Sequence, residues 1–201
     1  MSYLTTRKGD TGTTCIGGGR VSKTHPLIRL VGLLDCLQSE IGMLDNYSIE
    51  YPYLKKHISD ICNDLYTIMG MVHKTCPGYL TNDDMKPFLE RLDSIIADIK
   101  LPKMNQFIRP TAKFSIANNA RANCRLYENM ILHIEVELDA EDKCISQYLN
   151  RMSSVIYGFM IYINNTRSAK KAYIEIDIDT GNLMYIVAGC VGLTLCYFYL
   201  F

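Results

Sequence analysis

The residues best suited to chemistry begin near the amino terminus, in a run of glycines, threonines and basic side chains. Residues 5–23 read TTRKGDTGTTCIGGGRVSK and include five glycines. Glycines let backbone N–H groups approach an anion closely, hydroxyls add donors, and lysine or arginine supplies positive charge. This chemistry suits a polyphosphate, although the segment is neither a Walker A sequence nor a GxGxxG sequence. A flexible loop has a similar composition, so the segment alone leaves both interpretations open.

A second group of polar residues lies in a segment that is predicted to be helical. Arg121, Arg125 and Glu128 are four and three residues apart, so a helix would place all three on one face. Asn118 lies near the same face. Two arginines on one face can bind a phosphate or another anion, with the glutamate holding them in place. The alternative is a solvated charged stripe, which many surface helices carry.

Two further polar positions interrupt apolar stripes. Asp35 lies between Leu34 and Leu37 in the sequence. Burial of an unpaired carboxylate costs on the order of several kcal/mol, so we expect an arginine of the second group to be its partner. Asn150 and Arg151 interrupt the stripe of the last predicted helix, and we expect that helix to contribute to the same polar centre.

Five predicted helices would position these groups, because apolar residues recur at spacings of three and four. The helices are expected at about residues 26–44, 52–74, 82–101, 115–138 and 142–164. Pro26 suits a first helical turn, and Asn82 is an N-cap candidate. Residues 1–24 are expected to form an ordered polar loop or short strands, and residues 172–180 alternate like a strand or an extended lead. Helices of this length with short links predict an all-α fold, a five-helix antiparallel bundle.

The end of the chain differs from the rest, because residues 183–201 contain no charged side chain. About 17–25 apolar residues in a helix can span a bilayer. A buried terminal helix or strand is the alternative, although a core helix of this length normally carries a polar stripe. We therefore expect a transmembrane tail anchor at 183–201 after a linker at 167–182. The first residues lack the apolar segment of a secretion signal, so we expect the bundle of residues 1–166 to face the cytosol.

The overall composition limits the class of protein. The 201 residues suffice for one domain with a sizeable core, and the formal net charge is zero. Neutrality argues against a nucleic-acid-binding surface, which needs a basic excess. The eight cysteines form no CxxC pair and have no zinc-ligand spacing. Neither a disulfide framework nor a metal bound by protein side chains alone is expected.

In their order along the chain, these segments resemble the PduO-type ATP:cob(I)alamin (corrinoid) adenosyltransferases, over about residues 3–164. The family pattern T-R-T-G-D-x-G-T-T, followed by R-V-x-K, is matched at 6–14 and 20–23. The family pattern G-x-x-D-E-L-x-S-x-x-G is matched at 32–42, and F-I/V-L-P at 107–110. Each segment alone is modestly specific, whereas several in the same order form a specific match.

The remaining family patterns coincide with the polar groups of the last two predicted helices. R-x-x-x-R-x-x-E is matched by Arg121, Arg125 and Glu128, and L-N-R-L-S-D by residues 149–154. The resemblance implies a five-helix bundle that assembles as a homotrimer, with ATP and the corrinoid at subunit interfaces. In the family, reduced cobalt attacks the 5′ carbon of ATP and expels triphosphate.

The resemblance also implies a role for each matched residue. The triphosphate site, with Mg²⁺ nearby, would be formed by Thr6, Arg7, Gly9, Asp10, Gly12, Thr13 and Lys23. Arg125, Glu128 and Asn150 would complete ATP binding from the fourth and fifth helices. Asp35 and Arg121 would form a salt bridge that orders the corrinoid side, and Phe107 would displace the lower ligand of cobalt. The catalytic group would therefore be Asp35, Phe107, Arg121 and Arg125.

Five departures from the family change the charge or polarity of a side chain. Lys8 and Cys36 replace threonine and glutamate, Arg109 replaces an apolar residue, Leu126 replaces an arginine and Ser154 replaces an aspartate. Two functions therefore stay open at this point. One is a membrane-tethered adenosyltransferase, and the other is a catalytically degenerate, membrane-tethered protein that binds a nucleotide or a corrinoid or serves as an interaction module.

Overall fold

The computed structural model describes residues 7–99, 108 and 111–179, without the side chains of 112 and 168–179. The chain divides at Ile161 into two units. The elements in chain order are strands β1 (Thr13–Ile16) and β2 (Gly19–Ser22), and helices α1 (Pro26–Met43), α2 (Tyr53–Thr75), α3 (Asn82–Asp98), α4 (Ser115–Glu137) and α5 (Cys144–Asp179). Short 3-10 turns cover Leu44–Tyr47 and Ala112–Phe114. All five predicted helices are present, and Pro26 occupies the first turn of α1.

Two details of the helices differ from the prediction. The N-cap of α3 is Thr81 rather than Asn82, because Thr81 and Asp84 form a reciprocal capping box across the first turn. Residues 172–179 are helical and extend α5, so the expectation of a strand or extended lead was wrong. Continuing an existing helix gains one hydrogen bond per residue without a new nucleus, and this outweighs a local alternation of apolar and acidic residues.

The glycine-rich segment ends in a two-stranded antiparallel hairpin, which confirms the prediction of short strands. Cys15 lies opposite Arg20 in the register, and the turn between the strands is Gly17–Gly18. Both glycines have positive φ, +57° and +79°, as a tight hairpin turn requires. A Cβ at Gly17 would lie 2.5 Å from the carbonyl oxygen of Cys76, so the tip packs closely on the segment between α2 and α3.

The core is built from the apolar stripes that the sequence predicts. The buried residues of α1 are Leu27, Leu30, Leu34, Leu37 and Ile41. This helix packs against both α2 and α4. Each large apolar side chain contributes about 1.5–3 kcal/mol when it is fully buried. These contacts fix the rotation of α1 and α4 about their axes, and thereby decide which of their polar residues face outward.

Among residues 7–99, 108 and 111–179, no helix is long and apolar enough to cross a membrane. The predicted tail anchor at 183–201 lies outside this described part of the chain. The described part of the predicted linker, residues 167–179, belongs to α5.

Candidate functional site

The amino-terminal loop is a series of short turns. The N–H of Asp10 donates to the carbonyl of Arg7 at 3.1 Å, and the N–H of Gly12 donates to the carbonyl of Gly9 at 3.2 Å. Gly12 has a φ of +74°, which favours glycine. The N–H of Lys23 then bonds the Gly12 carbonyl at 2.9 Å and joins the end of the hairpin to the loop. The segment is therefore ordered, and five of its predicted site residues share this one loop.

Lys23 lies directly over Gly9. A Cβ at residue 9 would stand 3.1 Å from the Lys23 Nζ and 3.3 Å from its Cε. Any larger residue would displace the end of the lysine side chain, so the glycine leaves room for the ammonium group. The structure thus brings a positive charge against the loop backbone, as an anion site requires.

Arg20 is a further part of this loop and was not among the predicted site residues. Its Nη2 donates to the carbonyl oxygen of Lys8 at 2.7 Å and also to Oγ1 of Thr13. The sequence shows that Arg20 is basic. It does not show that Arg20 binds a backbone carbonyl twelve residues away, because every residue has a carbonyl.

The fourth and fifth helices bring two of the predicted residues together. Nδ2 of Asn150 donates to Oε1 of Glu128 at 2.8 Å. Close by, Sγ of Cys124 donates to the Leu149 carbonyl at 3.2 Å and ties the two helices. Asn150 and Glu128 line an open cleft of about 380 Å³ together with Lys143 and other residues. The cleft offers both hydrogen-bond donors and acceptors to a polar ligand.

A fully buried carboxylate fixes the start of α5 beside this cleft. Oε1 of Glu135 accepts the N–H groups of Ile145 and Ser146 at 3.0 and 3.3 Å, and the hydroxyl of Tyr79 at 2.8 Å. The negative charge therefore caps the positive end of the helix. Burial, with a contribution from Glu135, raises the pKa of the Cys144 thiol to about 12. The thiol is thus a core group and no nucleophile.

The arginines of α4 have different surroundings. Nη2 of Arg121 donates to Oδ1 of Asn118 at 3.3 Å, one turn earlier in the helix, so these two predicted neighbours do share a face. The side chain of Arg125 is exposed. Because no ion pair holds Arg125 within the described part of the chain, its exposed guanidinium can contact a ligand.

Asp35 is exposed on α1, so the argument that its burial demands a partner was wrong. Consecutive helix residues point in directions about 100° apart, and the buried neighbours Leu34 and Leu37 therefore do not bury Asp35. Its carboxylate has no hydrogen bond or ion pair within the described part of the chain. The salt bridge with Arg121 that the resemblance implies stays a prediction.

Arg151 does not join the polar centre of Asn150. Its Nη1 contacts Oδ2 of Asp93 on α3 at 2.8 Å, because adjacent residues of a helix face different neighbours. Of the two polar residues that interrupt the α5 stripe, only Asn150 reaches the Glu128 side. The fifth helix therefore contributes to the polar centre through Asn150, whereas Arg151 pairs with α3.

A second carboxylate, which the sequence analysis did not single out, links α1 to α4. Oε1 of Glu40 accepts Nδ2 of Asn123 at 2.8 Å and the hydroxyl of Tyr127 at 3.0 Å. Burial and this hydrogen bond raise the pKa of Tyr127 to about 12. These hydrogen bonds hold α1, which carries Asp35, against α4, which carries Arg121 and Arg125.

The predicted residues thus form two groups, one in the loop and one on α4 and α5. Among residues 7–99, 108 and 111–167, no hydrogen bond or ion pair joins the loop group to Glu128 or Asn150. Thr6 and Phe107 lie outside the described residues, and so does Arg109.

These sequence features match a known family over most of the chain. Residues 4–163 fit the sequence model of the family described as cobalamin adenosyltransferase. The chain belongs to this family. A cobalamin adenosyltransferase of Cupriavidus metallidurans is 31% identical over 172 residues, which cover 82% of this chain and 89% of that protein. The corrinoid adenosyltransferase PduO of Citrobacter freundii is 25% identical over 162 residues, covering 76% of this chain and 47% of that protein.

Solved structures share the fold of this cobalamin adenosyltransferase family member. They include variants of a PduO-type ATP:corrinoid adenosyltransferase from Lactobacillus reuteri, one complexed with ATP and others with cobalamin and ATP. One of the latter has a TM-score of 0.65 at 21% identity, and the alignment covers 82% of this chain and 95% of that one. The five-helix arrangement is therefore the family fold.

Three departures from the cobalamin adenosyltransferase patterns lie on the surface. Cys36, Leu126 and Ser154 are all exposed. Leu126 is 55% exposed, so an apolar side chain meets solvent where the family pattern has an arginine. None of the three side chains therefore belongs to the apolar core.

Proposed function

We propose that this chain is an ATP:corrinoid adenosyltransferase that transfers the 5′-deoxyadenosyl group of ATP to the reduced cobalt of a corrinoid. The cobalt lone pair forms the bond to the 5′ carbon, and the carbon–oxygen bond breaks with its electron pair leaving on triphosphate. Family membership over residues 4–163 supports this function. The structural observation that carries it is the ordered glycine-rich loop, with Lys23 held over Gly9.

The loop would receive the triphosphate. Lys23 and Arg7 supply positive charge, and the loop glycines allow the phosphate oxygens to approach the backbone N–H groups. The side chains of Asp10 and Thr13 offer oxygen ligands of the kind that Mg²⁺ prefers, and one or two such ligands suffice when phosphates complete the coordination. Thr6 would extend the same site. Stabilising the leaving triphosphate lowers the barrier to transfer.

The helical group would hold the rest of ATP and order the corrinoid side. Asn150 and Glu128 are already hydrogen bonded to each other at 2.8 Å, so their polar groups are pre-oriented for a ribose or an adenine. Arg125 would contact the nucleotide from the same helix as Glu128. Asp35 and Arg121 would pair beside the corrinoid.

Phe107 would act on the corrinoid itself as an apolar wedge that displaces the lower ligand of cobalt. The corrinoid supplies the nucleophile once it is reduced, and a corrinoid without its lower ligand is easier to reduce. The protein would position the two substrates and exclude water from them.

We propose that the chain forms a homotrimer in which each active site takes its loop from one copy and its α4–α5 cleft from another. The loop group and the pair Glu128–Asn150 lack a direct polar contact within the described residues of one chain. Contact between neighbouring copies would bring the loop of one copy close to Glu128 and Asn150 of the next. A ring of three is one of the closed symmetries that such head-to-tail contacts form.

We also propose that residues 183–201 anchor the protein in a membrane, with the bundle facing the cytosol. These residues carry no charge and are long enough for one span. Val191 and Leu193 lie near the middle of the segment, where each arginine costs about 2.5–3.5 kcal/mol. Replacing both residues with arginine should release the full chain from sedimented membranes. If alkaline carbonate released the unchanged protein to the same extent as the double variant, residues 183–201 would not be an anchor.

An adenosylation assay tests the proposed activity. The full chain in mild detergent is mixed with Mg-ATP and chemically reduced cobalamin, and formation of the cobalt–carbon bond is followed by its absorbance and light sensitivity. The expected result is adenosylated product and one triphosphate per turnover. A folded, ATP-binding protein that yields no product would exclude the enzymatic function.

A catalytically degenerate binding protein is the second candidate, and the exposed Leu126 favours it. An apolar residue that replaces a family arginine on the α4 surface is suited to a protein partner rather than to a phosphate. Calorimetry with ATP and with cobalamin distinguishes the candidates, because binding of either ligand without turnover supports this second function.

A further inference from the structure

We propose that Arg20 is a positioning residue that holds the loop of residues 7–13 in its phosphate-binding conformation before the nucleotide arrives. This inference rests on the proposed function, since it assigns a role within the same triphosphate site. Arg20 would act through the loop backbone and not through a contact with the reacting atoms.

The hairpin register explains how one side chain reaches the loop. Cys15 is the direct cross-strand partner of Arg20, and Thr13 is the diagonal neighbour on the same face. The guanidinium continues along this face, where Nη2 donates to Oγ1 of Thr13 and, at 2.7 Å, to the Lys8 carbonyl. One exposed side chain therefore joins the second strand, the first strand and the loop that precedes them.

The loop needs such a clamp because little else holds it. Among the described residues, its internal bonds are the two backbone turn contacts at 3.1 and 3.2 Å and one bond between the hydroxyls of Thr11 and Thr13 at 3.2 Å. Lys23 joins the loop through one backbone bond at 2.9 Å. The side chains of Arg7, Lys8 and Lys23 also carry like charges, which repel one another within a short segment. The charge-assisted bond from Arg20 to the Lys8 carbonyl holds the backbone at the residue where the loop begins to turn, despite this repulsion.

An arginine is suited to this role in a way that a lysine is not. The guanidinium is planar and presents several N–H groups in fixed directions, so it can serve two acceptors at once. A lysine keeps the charge but binds as a point cation on a flexible stem. The pair Arg20→Lys and Arg20→Gln therefore separates loop positioning from a simple electrostatic contact with phosphate.

The experiment measures binding of tripolyphosphate and of ATP by calorimetry, and adenosyl transfer, with the full chain. Both Arg20→Lys and Arg20→Gln should weaken tripolyphosphate binding and raise the KM for ATP about tenfold or more, as expected for loss of a hydrogen bond to a charged group. The kcat at saturating ATP should change less than about twofold, because ATP binding then orders the loop. Arg29→Gln is the matched control, since Arg29 is also exposed and pairs with Glu137 on α4.

Hydrogen exchange of the ligand-free protein adds a readout that does not depend on activity. The amides of Asp10 and Gly12, which are bonded within the loop, should exchange faster in both Arg20 variants than in the unchanged protein. The amides in the middle of α1 should exchange at unchanged rates, which shows that the bundle remains folded.

Three outcomes would overturn the inference. Normal binding by Arg20→Lys with weak binding by Arg20→Gln would mean a direct charge contact. Unchanged binding and exchange in both variants would mean that the clamp has no role. An unchanged protein that binds neither tripolyphosphate nor ATP would contradict the proposed function itself, and that failure is visible before any variant is made.

Discussion

At the scale of single residues, the loop depends on one close contact between a glycine and a lysine. Gly9 has a backbone conformation open to other residues, so alanine adds no strain there. The added Cβ would stand 3.1 Å from Nζ of Lys23, and the flexible lysine would have to move. The effect of the substitution should thus fall on ligand binding rather than on folding.

Gly9→Ala should raise the KM for ATP about three- to tenfold, which corresponds to about 0.7–1.4 kcal/mol. Its free energy of unfolding should stay within about 0.5 kcal/mol of the unchanged protein. Gly70→Ala on α2 is the control, because nothing lies within 4 Å of a Cβ there. If Gly9→Ala binds ATP normally, Lys23 does not need its position over Gly9.

Asp64 is a second residue whose behaviour follows from its surroundings. It is 4% exposed on α2, and its Oδ2 lies 2.9 Å from Nε of Arg91. Burial outweighs the attraction of Arg91 and raises the pKa of Asp64 to about 6. In the folded protein this carboxyl therefore keeps its proton in a pH range where the unfolded chain has lost it.

The consequence is a loss of stability as the pH rises. Below about pH 4 both states are protonated, and the penalty develops between pH 4 and 6 as only the unfolded chain ionises freely. Relative to Asp64→Asn, the unfolding free energy should fall by about 3 kcal/mol between pH 3 and 7. Urea unfolding at several pH values measures this, with Asp93→Asn, which removes the exposed pair with Arg151, as the control. A constant difference across this range would contradict the raised pKa.

At the scale of elements, the sequence predicted the apolar stripes of the helices. It did not predict features that depend on how the helices are rotated against each other or on contacts with backbone atoms. The stripe of α1 was predictable because each of its buried residues, such as Leu30 and Ile41, follows the helical period. The exposure of Asp35 was not, because it depends on how α1 is rotated against α2 and α4. The bond from Arg20 to the Lys8 carbonyl could not be predicted either, since every residue has a backbone carbonyl.

The role of Glu135 between α4 and α5 could not be predicted from the sequence either. Its sequence position indicates neither full burial nor the role of a cap for the next helix. In the structure one carboxylate oxygen accepts Ile145, Ser146 and Tyr79. The start of α5, which carries Asn150 two turns later, is thereby tied to the helix of Glu128.

Glu135→Ala should lower the free energy of unfolding by about 3–5 kcal/mol, because it leaves buried donors without an acceptor. Glu135→Gln keeps one acceptor oxygen and should cost less. Tyr79→Phe removes a single hydrogen bond and should cost about 1 kcal/mol. Urea unfolding gives all three values. Equal costs for the alanine and glutamine variants would show that the carboxylate does not cap α5.

At the scale of the whole molecule, the separation of the two residue groups bears on assembly. A site that combines the loop of one copy with the α4–α5 cleft of another can be rebuilt from two defective proteins. Lys23→Ala damages the loop, and Asn150→Ala damages the cleft. Each variant alone should transfer adenosyl groups poorly, although both should remain folded.

When the two variants are co-expressed in equal amounts, half of the loops and half of the clefts are intact. Random assembly into a ring with sites between copies should then restore about one quarter of the normal activity. A chain with both substitutions, co-expressed with Asn150→Ala, is the control and should restore none, because no intact cleft is present. If mixed oligomers form but activity stays at the level of the separate variants, each site lies within one chain, and the loop must reach Glu128 and Asn150 of its own copy by moving.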